Sequence, residues 1–326
     1  MTVLAMDRAS TNPSARTTGP LTWIGTAATV FLGLVLLVAA WAKAIDPAGF
    51  REQIEHEGLA HFLPATFVAL TALFLETALG TALVLVVRRL WVLIPTALLV
   101  AFFVFLTSRG YWLATHGSPD AMSSCGCFGN LVQRSPAAAF WQDTLLLVPA
   151  LLLTFLGRSQ RGQVKGRAMV AGVIGIAAVI LAWKAPELPL DDLATLLRTG
   201  TEIHTICLPA AHPVCLSDVS PELRKGKHLV VMADLDDSRF TQSVDALNAY
   251  ARRASAEDVT VLTMSGADRQ RAFFWKWAPA FSIVEAPAPL LRPLYRQLPR
   301  AFRVDDGKVV ATFPGLPPLS AAGTAN

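Results

Sequence analysis

Ser124-Cys125-Gly126-Cys127-Phe128-Gly129-Asn130 is the stretch on which the reading of this chain turns. Two thiols stand one residue apart, with Gly126 between them and Gly129 two places on. Glycine lets the backbone turn tightly enough for the sulfurs to meet. A bond closing so small a ring departs from relaxed disulfide geometry, and strained, exposed disulfides are the oxidising, labile ones. A redox pair, Cys125 and Cys127, is the sharp reading. Half of a metal site, or two unrelated thiols, are the readings that compete with it. The stretch sits in a polar segment between long apolar runs, and those runs set the architecture.

Of the 326 residues, 53% are hydrophobic and only 16% charged, which is apolar for a soluble protein. Most of that apolar content precedes Pro186, so a membrane part followed by a soluble part is expected. The net charge of +4 is small. Its basic residues lie in short loops, forming no nucleic-acid face and bearing instead on topology. Four cysteines are too few for a disulfide-stapled scaffold.

Residues 1–20 are rich in Ser, Thr and Pro and read as a disordered cytoplasmic lead. Residues 21–42 are apolar over about 20 positions, enough to span a bilayer as a helix. Ala42-Lys43-Ala44 loosely mimics a signal-peptidase site, but the run is long for a signal peptide, so a retained anchor is favoured over a cleaved leader. Further spans are expected near 65–87, 91–107, 138–156 and 169–183.

Lysine and arginine set the orientation. Arg88 and Arg89 fill the turn between spans two and three, and Arg158, Arg161, Lys165 and Arg167 fill the loop between four and five. With five spans, both loops fall on the side of the N-terminus. The expected location is the bacterial cytoplasmic membrane, multi-pass, with the N-terminus inside. The thiol loop and everything after Trp183 then lie outside, and all four cysteines face the side where disulfides persist.

Glu76 falls inside the second span, where a carboxylate is costly unless paired or neutral. It reads either as a proton acceptor or polar contact under the thiol loop, or as a protonated structural side chain. His56, Glu57 and His61 in the first outer loop, and His116 before the thiols, are the groups that would lower a thiol pKa if adjacent. A lone loop histidine is more often simply solvated.

With Cys125-Gly126-Cys127-Phe128-Gly129 outside and between spans three and four, the chain resembles a known family. Ala39-Ala40-Trp41-Ala42-Lys43 followed by Asp46-Pro47, and Glu76 with Gly80, add to the likeness. Residues 21–157 resemble the methylamine utilisation protein MauE group of the DoxX-like membrane proteins. The resemblance implies an all-α four-helix bundle that helps to mature disulfide-containing periplasmic proteins. Residues 158–184 would then supply a cytoplasmic loop and a fifth, tethering span.

Residues 185–326 read as a soluble α/β domain. Residues 188–199 form an amphipathic linker. Residues 204–208 and 213–216 suit a hairpin around 209–212, with Cys207 and Cys215 on its arms, set diagonally and not directly opposite. A structural disulfide is the leading reading of that pair, and an electron relay with Cys125 and Cys127 the second. A strand at 228–233, helical spacing of Phe240, Val244, Leu247 and Ala251, a strand at 259–263 and a helix at 267–277 follow. Residues 300–305 and 308–313 make a hairpin around Asp306-Gly307.

That order, with Leu216-Ser217-Asp218-Val219 and Gly226-Lys227 before the first main strand and Leu298-Pro299 before the hairpin, resembles the membrane-tethered TlpA and MauD type of thioredoxin-like domain. The resemblance implies a cis Pro299 beside a partner-binding groove. Where that family carries Cys-x-x-Cys, this chain has Asp234-Leu235-Asp236-Asp237-Ser238-Arg239-Phe240, so the usual site cannot exchange disulfides. The Asp236–Asp237 pair alone is a weak metal signal. Little sequence follows Gly315 to form the expected last helix, so the domain reads as truncated, kept either to bind a partner or as a spacer.

The functional expectation is a membrane thiol–disulfide protein in which Cys125 and Cys127 act on an extracytoplasmic cysteine-containing client or redox protein. The alternative is a non-catalytic assembly factor whose thioredoxin-like domain binds a partner. The expected surroundings are a lipid bilayer and no nucleic acid. No metal or cofactor is expected, since no motif supports a bound quinone.

Overall fold

The computed structural model of the chain describes residues 20–56, 58, 63–116, 134–157, 164–208, 213–253 and 257–319. Cys125 and Cys127, Glu57, His61, and the basic loop residues Arg158 and Arg161 lie outside the described residues.

The N-terminal half is helical: α1 (Pro20–Ile45), α2 (Pro47–His56), α3 (Ala65–Val84), α4 (Leu90–Thr115), α5 (Pro136–Leu156) and α6 (Lys165–Lys184). All but α2 are long and apolar enough to cross a membrane, with mean hydropathy from 1.6 to 2.5. The third span runs past its expected end at 107. At 26 residues α4 equals α1, because the helix continues through Ser108, Arg109 and Gly110 to the aromatic pair Tyr111 and Trp112. Polar residues at a helix end do not stop a helix whose backbone bonds are already propagating.

Four buried hydroxyls in the bundle are satisfied within their own helices. Thr29, Thr96, Thr107 and Thr154 each donate to the carbonyl four residues back, a habit that costs no apolar packing. The tightest crossing joins α1 to α3. A Cβ on Gly33 would lie 2.7 Å from the Gly80 carbonyl oxygen, and one on Gly80 would lie 3.0 Å from that of Gly33. Only glycine at both positions lets these backbones approach so closely.

Alternation of the helices collects two ends. One holds Gly25 against Gly157, Arg88 beside Gly157, and Arg167 donating to Leu85 O at 3.1 Å. The other holds α2, the last turn of α4, the first turn of α5 and the end of α6, where the second domain begins. Ser135 caps α5 there by accepting from Ala138 N, and Tyr111 stacks on Phe140 at 5.4 Å.

The C-terminal half contains α7 (Asp191–Ala194), α8 (Leu216–Val219), β1 (Lys227–Met232), α9 (Ser238–Thr241), α10 (Val244–Ala251), β2 (Asp258–Thr263), α11 (Ala267–Trp277), β3 (Ser282–Glu285), α12 (Ala288–Leu291), β4 (Arg300–Asp305) and β5 (Lys308–Phe313). One mixed sheet runs in the order β3-β2-β1-β4-β5, with β1, β2 and β3 parallel and β4 and β5 antiparallel to their neighbours. Alternation in β1 sends Val230 and Met232 to one core and Leu229 and Val231 to the other. Both faces are covered, which is why β1 reads as an unbroken apolar run. At the β4–β5 turn Asp306 and Gly307 both have positive φ, as a two-residue hairpin loop requires. The Leu298–Pro299 bond is cis, as expected.

Three details differ from the sequence reading. Strand β3 was not anticipated, because four residues between a helix and a proline carry too little pattern. Residues 188–199 are not a plain linker: Ala194, Thr195 and Leu197 are buried in the domain. Cys207 and Cys215 stand directly opposite and not diagonally. Leu208 N bonds Val214 O and Leu216 N bonds Ile206 O, which centres the ladder on the cysteines. After β5 no helix follows among the described residues, and Leu316 and Leu319 pack on the core instead.

Candidate functional site

The most unusual chemistry among the described residues lies inside the bundle, where Lys43 of α1 and Glu76 of α3 form an ion pair. They are 3% and 0% exposed, so neither charge is relieved by solvent. The fold explains the meeting. With Gly33 opposite Gly80, and Ala40 clustering with Leu73, the helices run antiparallel. Lys43 is then level with residue 70, six residues or about 9 Å from Glu76 along the axis. Side chains lean toward their own helix N-terminus. In an antiparallel pair these two therefore lean toward each other and close that gap.

The Lys43 ammonium also lies 4.9 Å from the Phe50 ring centroid of α2 and 5.0 Å from that of Phe103 of α4. Two ring faces and one carboxylate thus surround one cation. Glu76 Oε2 and the neighbouring Thr77 Oγ1 have no hydrogen-bond partner among the described residues. Sequence reasoning singled out Glu76 but not its partner. Lys43 sits near the end of an apolar run, where a lysine is ordinarily read as reaching for the interface.

The flanks of the thiol segment emerge at the end of the bundle that bears α2. His116, expected near the thiols, is exposed and turned back on its own helix. Its ring stacks on Trp112 at 4.5 Å, and Nδ1 lies 2.8 Å from Trp112 O. On the other flank Arg134 pairs with buried Asp143 at 3.0 Å. A spacing of nine residues across a helix start follows no pairing rule, so the sequence gave no sign of it.

The second domain is joined to this same end. Arg292 pairs with Glu52 of α2 and lies 5.1 Å over the Tyr295 ring. Arg296 donates to Ala185 O at 2.6 Å and to Leu188 O at 3.2 Å, gripping the carbonyls where α6 ends. Burial holds the Tyr295 phenol above its ordinary value of 10.0. Arg292 opposes this, and the charges of Glu52 and Asp46 add to it. The folded chain thus binds the phenolic proton more tightly than the unfolded chain does. That stabilisation is complete below pH 10 and is lost as pH rises through and beyond it. Tyr295→Phe should therefore flatten the alkaline limb of a stability–pH profile while leaving the neutral region unchanged, as read by thermal unfolding at a series of pH values.

The remaining expected site residues are spread out. Pro299 precedes β4, whose Arg300 pairs with Met232 at the end of β1. The acidic loop that follows β1 is occupied internally: Asp237 pairs with Arg239 at 2.9 Å and Asp236 with Arg269 at 3.4 Å. Cys207 and Cys215 form a disulfide. They lie near Ile203, which bonds Gly307 O, at the opposite end of the sheet from Arg300. With a sequence separation of 8, loop-closure entropy makes the bond worth about 2.5 kcal/mol. Cys207→Ala with Cys215→Ala should lower the unfolding free energy of this domain by that amount in chemical denaturation.

A bundle of five apolar helices carrying a mixed-sheet domain at one end defines a multi-pass membrane protein with an appended α/β domain. Residues 21–156 match the family model described as Methylamine utilisation protein MauE, so the membrane part of the chain is similar to that family. Comparison with curated proteins and with solved structures returned no match.

Proposed function

We propose that the protein is a membrane thiol–disulfide protein that supports disulfide formation in, or maturation of, extracytoplasmic proteins. Cys125 and Cys127 form its exchanging pair at the outer surface. In that exchange a thiolate attacks a disulfide sulfur, a mixed disulfide forms, and the second thiol resolves it, so electrons and protons balance between protein and client. The observation that carries the reading is topological. His116 and Arg134, which bound the thiol segment, stand at the same end of the bundle as the α/β domain with its disulfide. The match of residues 21–156 to the MauE family model is consistent with it.

The α/β domain is assigned a thioredoxin-like fold that binds without exchanging, since its loop at 234–240 has carboxylates in place of thiols. Its parallel strands flanked by helices, with an antiparallel hairpin after them, support that assignment. The orientation follows the arginine bias at the opposite end of the bundle, where Arg88, Arg89 and Arg167 gather.

The test is residue-resolved thiol labelling of intact membranes. A Cys125–Cys127 pair that labels after mild reductant, and a Cys127→Ser variant that accumulates a mixed disulfide with another protein, are the expected results. A bond that resists reduction, with no mixed disulfide formed, would favour a non-catalytic assembly factor.

A further inference from the structure

We infer that Glu76 and Lys43 form a buried proton-binding site, and that it exchanges protons with the outside through Asp46 and the Tyr295–Arg292–Glu52 cluster. The inference goes beyond the thiol reading and rests on described residues alone. Three observations converge on it.

The first is that the ion pair is only half closed. Lys43 occupies one carboxylate oxygen, and Glu76 Oε2 is buried with no hydrogen-bond partner among the described residues. A carboxylate in an apolar bundle with an open oxygen is a place for a proton, and intramembrane acids commonly serve as relays.

The second is the support given to Lys43. When a proton neutralises Glu76, a buried ammonium loses its counter-ion and would ordinarily be expelled or deprotonated. Here the rings of Phe50 and Phe103 hold the ammonium from two sides at 4.9 and 5.0 Å. Cation–π attraction is strongest in such a dry site. The cation is therefore held in both protonation states, and the carboxyl is free to change. The neighbouring helices face the pair with apolar groups: Phe50 comes from α2 and Phe103 from α4, and Ala182 of α6 clusters with Leu73.

The third is a line of titratable groups leading out. Asp46, three residues beyond Lys43, is 5% exposed and accepts from Gly49 N at 3.0 Å. Asp46 and Glu52 both act electrostatically on Tyr295. Tyr295 lies under Arg292, which pairs with Glu52, and the Glu52 side chain is 60% exposed. The proposed path takes these groups in order from the buried pair to the exposed Glu52 at the seam between the two domains. The proton taken up comes from water and bonds to Glu76 Oε2; release returns it to water, with no electron transferred.

The experiment is infrared difference spectroscopy of the full-length protein in lipid nanodiscs after a pH jump, with no thiol reagent and no client. Wild type should show the C=O stretch of a protonated carboxylic acid forming as pH falls. Glu76→Gln should lose that band. Glu76→Asp keeps a carboxyl and should shift the band, which secures the assignment if the Gln variant folds poorly. Asp46→Asn should keep the band but form it about a hundredfold more slowly, the size expected for losing one positioned acid–base group. A Cys125→Ser/Cys127→Ser protein should behave as wild type, which separates this result from the thiol reading. Absence of a band that responds to Glu76 substitution would overturn the site. Equal rates in wild type and Asp46→Asn would overturn the path.

Discussion

Lys43→Met should destabilise the bundle by about 3–5 kcal/mol, and Glu76→Met by a similar amount, while the double variant should fall close to wild type. The reasoning is one of compensation. Each charge in the pair is 0 to 3% exposed and has given up its hydration. Removing Lys43 leaves a carboxylate with neither water nor cation. Removing Glu76 leaves an ammonium held only by the rings of Phe50 and Phe103. Removing both leaves two unbranched apolar side chains of about the right volume, which a site between α1, α3 and α4 can pack. Aromatic support makes the two single variants unequal, with Glu76→Met the milder. Reversible unfolding in detergent, arranged as a double-mutant cycle, measures the coupling directly. A coupling energy within about 0.5 kcal/mol of zero, the level at which independent sites add, would show that the pair does not act as a unit.

That pair also marks where the sequence could and could not be read. Spans were visible because apolar runs of the needed length have few alternatives. The hairpin strands were placed to the residue, since Asp306-Gly307 fixes the turn, while the register shift between Arg303 and Val304 left no mark in the sequence. Glu76 was visible as an anomaly, an acid among apolar neighbours. Lys43 was not, because pairing it with Glu76 requires the α1–α3 register, and that register is set by two glycines 47 positions apart in the chain whose backbones cross too closely for a Cβ on either. Arg134 with Asp143, and Arg292 with Glu52, were hidden for the same reason. Each joins groups whose separation is fixed by tertiary packing and not by a helical or strand period. Segment 188–199 was misjudged because its polar surface suggests a linker, whereas its small apolar residues, Ala194 and Leu197, are what the domain buries.

Arg300→Met should lower the stability of the α/β domain by about 3–5 kcal/mol, the range expected when a buried, fully engaged charge loses its network. Arg300 is 1% exposed, among the largest side chains so deeply buried. Its Nη1 donates to Thr195 Oγ1 at 2.7 Å and to Leu294 O at 2.6 Å, and Nη2 reaches Leu197 O at 3.5 Å. Burial pulls its pKa below the ordinary guanidinium value, and the charges of Asp191 and Asp192 partly restore it. Asp192 lies 3.9 Å away and is 68% exposed, so its direct pairing is screened and contributes little. The weight therefore falls on the three acceptors. Methionine fills the space but donates nothing, and each acceptor is left buried without its partner. Arg300→Lys should recover only part of the loss, because an ammonium cannot fork between a hydroxyl and carbonyls on different segments. Two of these acceptors, Thr195 and Leu197, come from the stretch that carries the chain out of α6, so Arg300 binds the exit segment into the sheet while Arg296 binds the helix end itself. Chemical denaturation of the full-length protein, followed by proteolysis of the C-terminal half, should show Arg300→Met opening the sheet domain with the bundle intact. A midpoint unchanged from wild type would mean that water replaces the guanidinium at no cost, and that the exit segment is held by Arg296 and Leu197 alone.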